Sequence, residues 1–373
     1  MIEAYLQHEA QRREQGIPPL PLDPEQTQSL CELLREPPAG HEELLLYLIK
    51  ERVSPGVDPS ARVKAEFLAA ILDGSLTSPL VSPLDAVRIL GTMLGGYNIK
   101  PLIAALAMPE YADEAAAALS RTILVYDAFD EVANLAKSLP AARTVLESWA
   151  HAEWFTSRPA LPDSITVRIF RVDGEINTDD FSPAGDAWSR PDIPLHALSM
   201  GKTRFPGEIK NIASYRSAGD AVAFVGDVVG TGSSRKSACN SLLWHIGEDI
   251  PHVPNKRRGG VILGGAIAPI FFNTAQDSGA LPIRCDVSRL KNGELVTIET
   301  GKGRILSEQG ETLATFSLAP ETIGDEYRAG GRIPLIIGRS LTARAREVLG
   351  LDQGSIFVRA KNPEPAPGQE YTL

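Results

Sequence analysis

The sequence predicts a multidomain protein of two classes in succession, an α first half and an α/β second half. Apolar residues recur at helical spacing from Met1 to about Phe155 with little strand signal. Residues 157–163 (SRPALPD) then interrupt the pattern with prolines and no periodicity. Beyond them, runs alternating at period two are interspersed with helical segments.

The first half is built as follows. The opening MIEAYLQHEAQRREQG is charged and helical. Asp23-Pro24 combines a capping residue with a proline at the first helical position, and Leu30, Leu33 and Leu34 follow at i, i+3, i+4. Residues 40–53 form the next helix, stopped by Ser54-Pro55-Gly56. Helices over 63–72, 83–94, 99–106 and 110–126 follow, and 143–155 closes the run. Short helices in antiparallel succession predict a stack of helix pairs, suited to presenting a surface to another domain or subunit. An ordinary helical bundle is the simpler alternative, and no strict repeat period is visible.

In the second half, strands are expected over 165–172, 221–229, 260–263, 282–287, 295–299 and 312–318, with helices over 234–246, 269–279 and 341–349. They predict a mixed sheet or barrel with helices packed outside. The expected division is a helical domain over 1–157, a second domain over 164–365 and a tail over 366–373.

Composition narrows the function. No apolar run approaches the roughly 18 residues of a membrane helix, and the N-terminus has no signal-peptide stretch, so the cytoplasm is the expected location. Cys31, Cys239 and Cys285 are far apart in sequence, which argues against a disulfide framework or a metal cluster held by this chain. Residues 1–160 hold 22 Asp/Glu against 13 Lys/Arg, whereas 161–373 hold 25 against 24. The acidic half is therefore a poor surface for nucleic acid at large.

One stretch organises the second half. GDVVGTGSSRKSACN (226–240) reads as the end of a buried strand, a glycine-rich turn and the start of a helix. Gly230 and Gly232 permit a tight turn, and Ser233 and Ser234 stand where the helix begins. A helix N-terminus favours anions, and Arg235 adds a planar fork for a carboxylate. The turn is thus a carboxylate or phosphate site, or more simply a capping serine pair beside a surface arginine.

Longer blocks extend the reading. INTDDFSPAGDAWSRPDIPLHAL (176–198), GDVVGTGSSRKSA (226–238) and DIPHVPNKRRGGVILGGAIAPIFFNTAQDSGALPI (249–283) resemble the aconitase superfamily in its bacterial B-type branch. So do GIPPLPLD (16–23), RILGTMLGGYNI (88–99) and SWAHAEWFTSRPAL (148–161) in the helical half. The resemblance covers essentially the whole chain. It implies a HEAT-like helical stack followed by a swivelling β/β/α domain. It also implies an aconitate hydratase reaction, interconverting citrate and isocitrate through cis-aconitate, with the 2-methyl homologue as a further substrate. In the family a [4Fe–4S] cluster is held by three cysteines of later domains. This chain ends at Tyr371-Thr372-Leu373, after the linker-like KNPEPAPGQE, where the family chain runs on. The expectation is an excised N-terminal piece rather than a natural subunit, binding no cluster and inactive alone.

The resemblance also implies site roles. Ser233 is the catalytic base, acting as an alkoxide. Ser234 hydrogen-bonds a substrate carboxylate, Arg190 and Arg235 clamp carboxylates, and Asp179 orients groups of the site. Asn177, Thr178 and Asp180 support them, while Lys256-Arg257-Arg258 is expected to be a solvated turn, one arginine richer than the family's KRGGG. The implied partners are the tricarboxylate and the cluster-bearing domains, with a homodimer through the helical half. Two alternatives stay open: a separately encoded swivel subunit like the small subunit of isopropylmalate isomerase, which lacks the helical stack, and a regulatory module binding protein or messenger RNA.

Overall fold

The structure, a computed structural model, describes residues 1–359. The expected tail over 366–373 and the end of the second domain lie outside the described residues. Ten helices come first: α1 (Ile2–Glu14), α2 (Pro24–Arg35), α3 (Glu42–Glu51), α4 (Pro59–Leu72), α5 (Pro83–Leu90), α6 (Ile99–Ala105), α7 (Ala112–Ser120), α8 (Ala128–Leu135), α9 (Pro140–Ala150) and α10 (Glu153–Thr156). Several begin where proline already fixes φ and lacks the N–H that a helix start leaves unpaired. Asp23 and Gln26 form a reciprocal capping box at α2, as Ser82 and Asp85 do at α5. Neighbouring helices pack α2 on α4, α4 on α5, α5 on α7 and α7 on α9. Their apolar faces form one continuous core from Tyr5 to Ala150.

The second half contains β1 (Ser164–Asn177), α11 (Thr178–Phe181), α12 (Ile193–Ala197), α13 (Ile209–Ser217), β2 (Val222–Thr231), α14 (Arg235–Ile246), β3 (Glu248–Asp249) and β4 (Arg257–Arg258). It continues with β5 (Val261–Ile267), α15 (Pro269–Asp277), β6 (Leu281–Arg284), β7 (Leu295–Glu299), β8 (Arg304–Ser307), β9 (Thr312–Thr315), α16 (Ile323–Ala329) and α17 (Arg332–Val348). Seven strands form one mixed sheet in the order β6-β5-β2-β1-β7-β8-β9. β6, β5, β2 and β1 are parallel, and β7, β8 and β9 continue antiparallel from β1.

Alternation along β2 divides its side chains between two cores. Val222 and Phe224 join the layer under α13, α14 and α15, while Ala223 and Val225 face the opposite core. That opposite core also takes in Val296, Ile298, Ile305 and Leu313 of the antiparallel strands. One sheet therefore serves both layers.

The Lys256-Arg257-Arg258 run corrects the expectation of a solvated turn. Arg257 stacks on Trp244, its guanidinium carbon 4.3 Å from the ring centroid, and donates to Asp249 at 2.8 Å. Arg257 and Arg258 form β4, paired with β3. A second departure is the length of α17. It begins at Arg332 and returns to the helical half, where Leu341 and Ala345 complete the first core against α9.

Candidate active site

The carboxyl ends of the parallel strands mark the edge at which open α/β sheets bind ligands. There β1 runs into α11, β2 into the turn 230–234, and β5 into α15. Asn177 and Thr231 are register partners, so the ends of β1 and β2 are neighbours. Thr231 Oγ1 donates to Glu175 Oε1 at 2.7 Å across that pair.

The turn is clasped from two sides. Gly230 has φ +81°, and a Cβ there would lie 2.2 Å from Cγ of Phe271 on α15. Gly232 has φ +104°, and a Cβ would lie 2.5 Å from Thr178 Oγ1 on α11. Only glycine meets both the left-handed backbone and the close approach. Phe271 in turn stacks on Phe181, with centroids 5.6 Å apart and planes at 11°, so one aromatic layer supports α11, α15 and the turn.

Ser233 is exposed at the tip of this turn. Ser234 occupies the N-cap position of α14, but its side chain makes no capping hydrogen bond. The start of a twelve-residue helix is therefore left for an outside acceptor. Arg235 folds back, Nη1 donating to the Ser233 carbonyl at 3.4 Å, which keeps a cation beside the serine.

Asp179 lies in the first turn of α11. The capping box there is formed by Asn177 and Asp180: Asn177 Oδ1 accepts from Asp179 N and Asp180 N, and Asp180 Oδ2 accepts from Asn177 N. The box thus uses the Asp179 amide and not its carboxylate, which stays exposed. Arg190 sits on the loop before α12 and is half-buried, its Nη1 donating to Leu195 O at 3.3 Å. Beside it, Lys202 donates to Asp186 at 2.7 Å, and hydrogen bonds from Lys202 and Ser199 hold the Asp186 carboxyl below its ordinary range. Trp188, on the same loop, is 97% exposed.

Ser233, Ser234 and Arg235 thus share one turn, and Asp179 belongs to the short helix that touches it. Arg190 is held within its own loop, which reaches the turn indirectly because α11 and α12 both pack on α14. His245, half-buried on α14, is joined through Nε2 to Ala197 O at 2.8 Å; desolvation pushes its pKa down, so the neutral ring serves as the donor. Ser182 and His196 are 3.0 Å apart. The clasp by Thr178 and Phe271 was not derivable from the residues themselves, although two glycines spaced by one residue signal some close approach.

A cavity of about 640 Å³ lies away from this turn, against the β1 bulge, with Arg171, Arg204 and Lys291 in its wall. Arg171 is already engaged by Asp173 at 2.7 Å and Asp227 at 2.8 Å. Free chemistry sits instead on the open edge. Among the described residues, no group of three His, Cys, Asp or Glu is placed to hold a metal ion. Cys31, Cys239 and Cys285 lie in three separate cores, and burial pushes each thiol up to about 12. They do not fit an iron–sulfur cluster, which gathers thiolates around one centre.

Comparison with known proteins accounts for both halves. A family model described as the aconitate B N-terminal domain matches residues 4–155, and one described as the aconitate hydratase 2 N-terminus matches residues 167–371. Aconitate hydratase B of a Synechocystis strain is 55% identical over 375 residues, covering 100% of this chain and 43% of that protein. The Escherichia coli aconitate hydratase B is 56% identical over 374 residues, covering 97% of this chain and 43% of its own length. Among solved structures, a 3-isopropylmalate dehydratase of Methanocaldococcus jannaschii is 20% identical with a TM-score of 0.35, covering 48% of this chain and 96% of that one. The chain spans less than half the length of the curated relatives it matches. Matched by family models in both halves and by relatives more than half identical along its length, the chain belongs to the aconitate hydratase B family.

Proposed function

We propose that this chain supplies the proton-transfer and carboxylate-binding part of an aconitate hydratase that interconverts citrate and isocitrate through cis-aconitate. The observation that carries the proposal is the exposed Ser233 at the carboxyl end of a central parallel strand, beside Arg235 and an uncapped helix start. Ser233 Oγ takes the proton from carbon. Arg235, Arg190 and Ser234 bind substrate carboxylates, and the Asp179 carboxylate orients groups at the turn. The cluster typical of the family finds no ligands among the described residues, so departure of the hydroxide is assigned to the rest of the protein.

Magnitudes explain why the turn needs that rest. An alcohol is about as weakly acidic as water, so ionising one at pH 7 costs roughly 12 kcal/mol, taking about 1.36 kcal/mol per unit. A helix start contributes only about 0.3–1 kcal/mol to an exposed anion. Closure against water must supply most of the remainder, through the strengthening of Arg235 and the amides in a low dielectric. An isolated chain with exposed Ser233 is accordingly inactive.

The test joins this chain to the remaining segment of a relative, loads the cluster and follows cis-aconitate absorbance. Ser233→Ala is expected to lower kcat by about 10²–10⁴ while leaving citrate affinity nearly intact. Normal turnover by the variant overturns the assignment of Ser233.

A further inference from the structure

The loop that carries Arg190 is held from the other half of the molecule. Arg12, on α1, is 5% exposed. Its Nε donates to Pro18 O at 2.9 Å, and its two terminal nitrogens reach both oxygens of Asp192, at 3.1 and 2.5 Å. Asp192 is the N-cap of α12, accepting from Leu195 N, and Leu195 O is the acceptor for Arg190 Nη1. An unbroken chain of hydrogen bonds therefore runs from the first helix to the Arg190 guanidinium.

We infer that Arg12 is a positioning residue: from the helical half it fixes the 186–198 segment and so the placement of Arg190. The chemistry suits the role. A planar fork bound to a carboxylate by two parallel bonds fixes orientation as well as distance, and burial shields the pair from screening. Beyond its own backbone bonds and the packing of α12 on α14, the 186–198 segment is held by bonds from Lys202 to Asp186 and between Ser182 and His196, and by the strut from His245 to Ala197. The Asp192 carboxylate at the N-terminal end of α12 is held from outside the segment by Arg12. The inference rests on the substrate-binding reading of Arg190 only for its effect on catalysis.

The experiment compares Asp192→Asn and Arg12→Met, alone and together. Asparagine caps a helix as well as aspartate does, so Asp192→Asn removes the ionic fork and spares the cap. Hydrogen exchange is followed on the 373-residue chain, and citrate kinetics on the protein completed to the length of its relatives. Both single variants are expected to speed exchange at least about tenfold across 186–198 while the helical half is unchanged, as suits loss of a buried charge pair. They raise KM several-fold with kcat within about twofold, and the double variant is no worse than the worse single one. Unchanged exchange over 186–198, exchange spread through the whole helical half, or additive effects in the double variant overturns the inference. Arg190→Lys separates the underlying reading: an unchanged KM there removes Arg190 from substrate binding, while the exchange result still judges Arg12.

Discussion

Among the glycines of this molecule covered by an aromatic side chain, two have opposite consequences. At the sheet edge Phe271 covers Gly230; where α17 meets the helical half, Trp154 covers Gly338. At the second place the polar group is paired: Trp154 Nε1 donates to Thr342 Oγ1 at 3.0 Å, and Phe155 and Phe357 pack around the indole. At the first, the ring only sets the backbone, and Ser233, Arg235 and the start of α14 keep their polar groups for an outside partner. The same packing device builds a seam in one place and a site in the other. Satisfied polar groups mark the seam, and available ones mark the site.

The largest effects should fall on different observables. Ser233→Ala in the completed protein should lower kcat by about 10²–10⁴, the range for losing a general base, with an unchanged melting temperature. Trp154→Ala should instead lower the unfolding free energy by about 3–5 kcal/mol, read from urea unfolding, because a buried ring and its hydrogen bond are both lost. Loss of stability in the first variant with normal turnover would reverse the contrast.

The two glycines sharpen it. Gly230→Ala adds a Cβ against Phe271 at a left-handed φ, combining about 1–3 kcal/mol of overpacking with about 1–2 kcal/mol of backbone strain. Gly338→Ala, inside a helix, carries the overpacking alone. Both variants should be destabilised, the first more, and only Gly230→Ala should lower kcat in the completed protein. Equal losses of kcat in the two would show that the edge is no more sensitive than the seam.

The same contrast explains what was legible in the sequence. Helix starts at Pro24, Pro83 and Pro269 were readable because proline fixes φ and the missing N–H is lost where none is needed. The turn was readable because Gly230 and Gly232 are local demands of the backbone. The start of α17 was not, since Pro334 and Gly338 read as helix breakers. Pro334 falls in the first turn, where it is tolerated, and Gly338 is the notch for Trp154, 184 positions earlier in the chain. Strand β8 was missed because a four-residue run between turns shows no period of its own and is defined by its pairing with β7 and β9. Asp179 could not be told from a capping aspartate until Asn177 and Asp180 were seen to form the box. Partners such as Arg12 and Asp192, 180 positions apart, leave no local trace.

Charge gives the last and smallest test. Arg235 stays partly exposed at the edge, whereas Lys64 on α4 is 2% exposed within the helical core. Burial pushes the Lys64 ammonium down to about 8 from its ordinary 10.5, against an opposing pull from Glu51. Below pH 8 the group is charged in both folded and unfolded chains, and the core bears the full cost of burying it, roughly 3 kcal/mol at about 1.36 kcal/mol per unit. Between pH 8 and 10.5 the unfolded chain keeps a proton that the folded chain has released, so stability rises with pH. The three buried thiols act oppositely above their ordinary value of 9.0, because unfolded cysteines then ionise while folded ones, held near 12, do not. Between pH 8 and 9 the lysine adds about 1 kcal/mol and the three thiols, half ionised in the unfolded chain by pH 9, together take back about as much, so the lysine's share is read as a difference between two proteins that both carry the thiols. Lys64→Met, which fills the space without the charge, should be more stable at pH 7 by about 1–3 kcal/mol, an advantage that shrinks by about 1 kcal/mol between pH 8 and 9. Urea unfolding of both proteins at pH 7, 8 and 9 decides the matter: parallel profiles in the two would mean that Lys64 contributes no pH dependence, and the edge and the core would then differ in packing but not in how they treat charge.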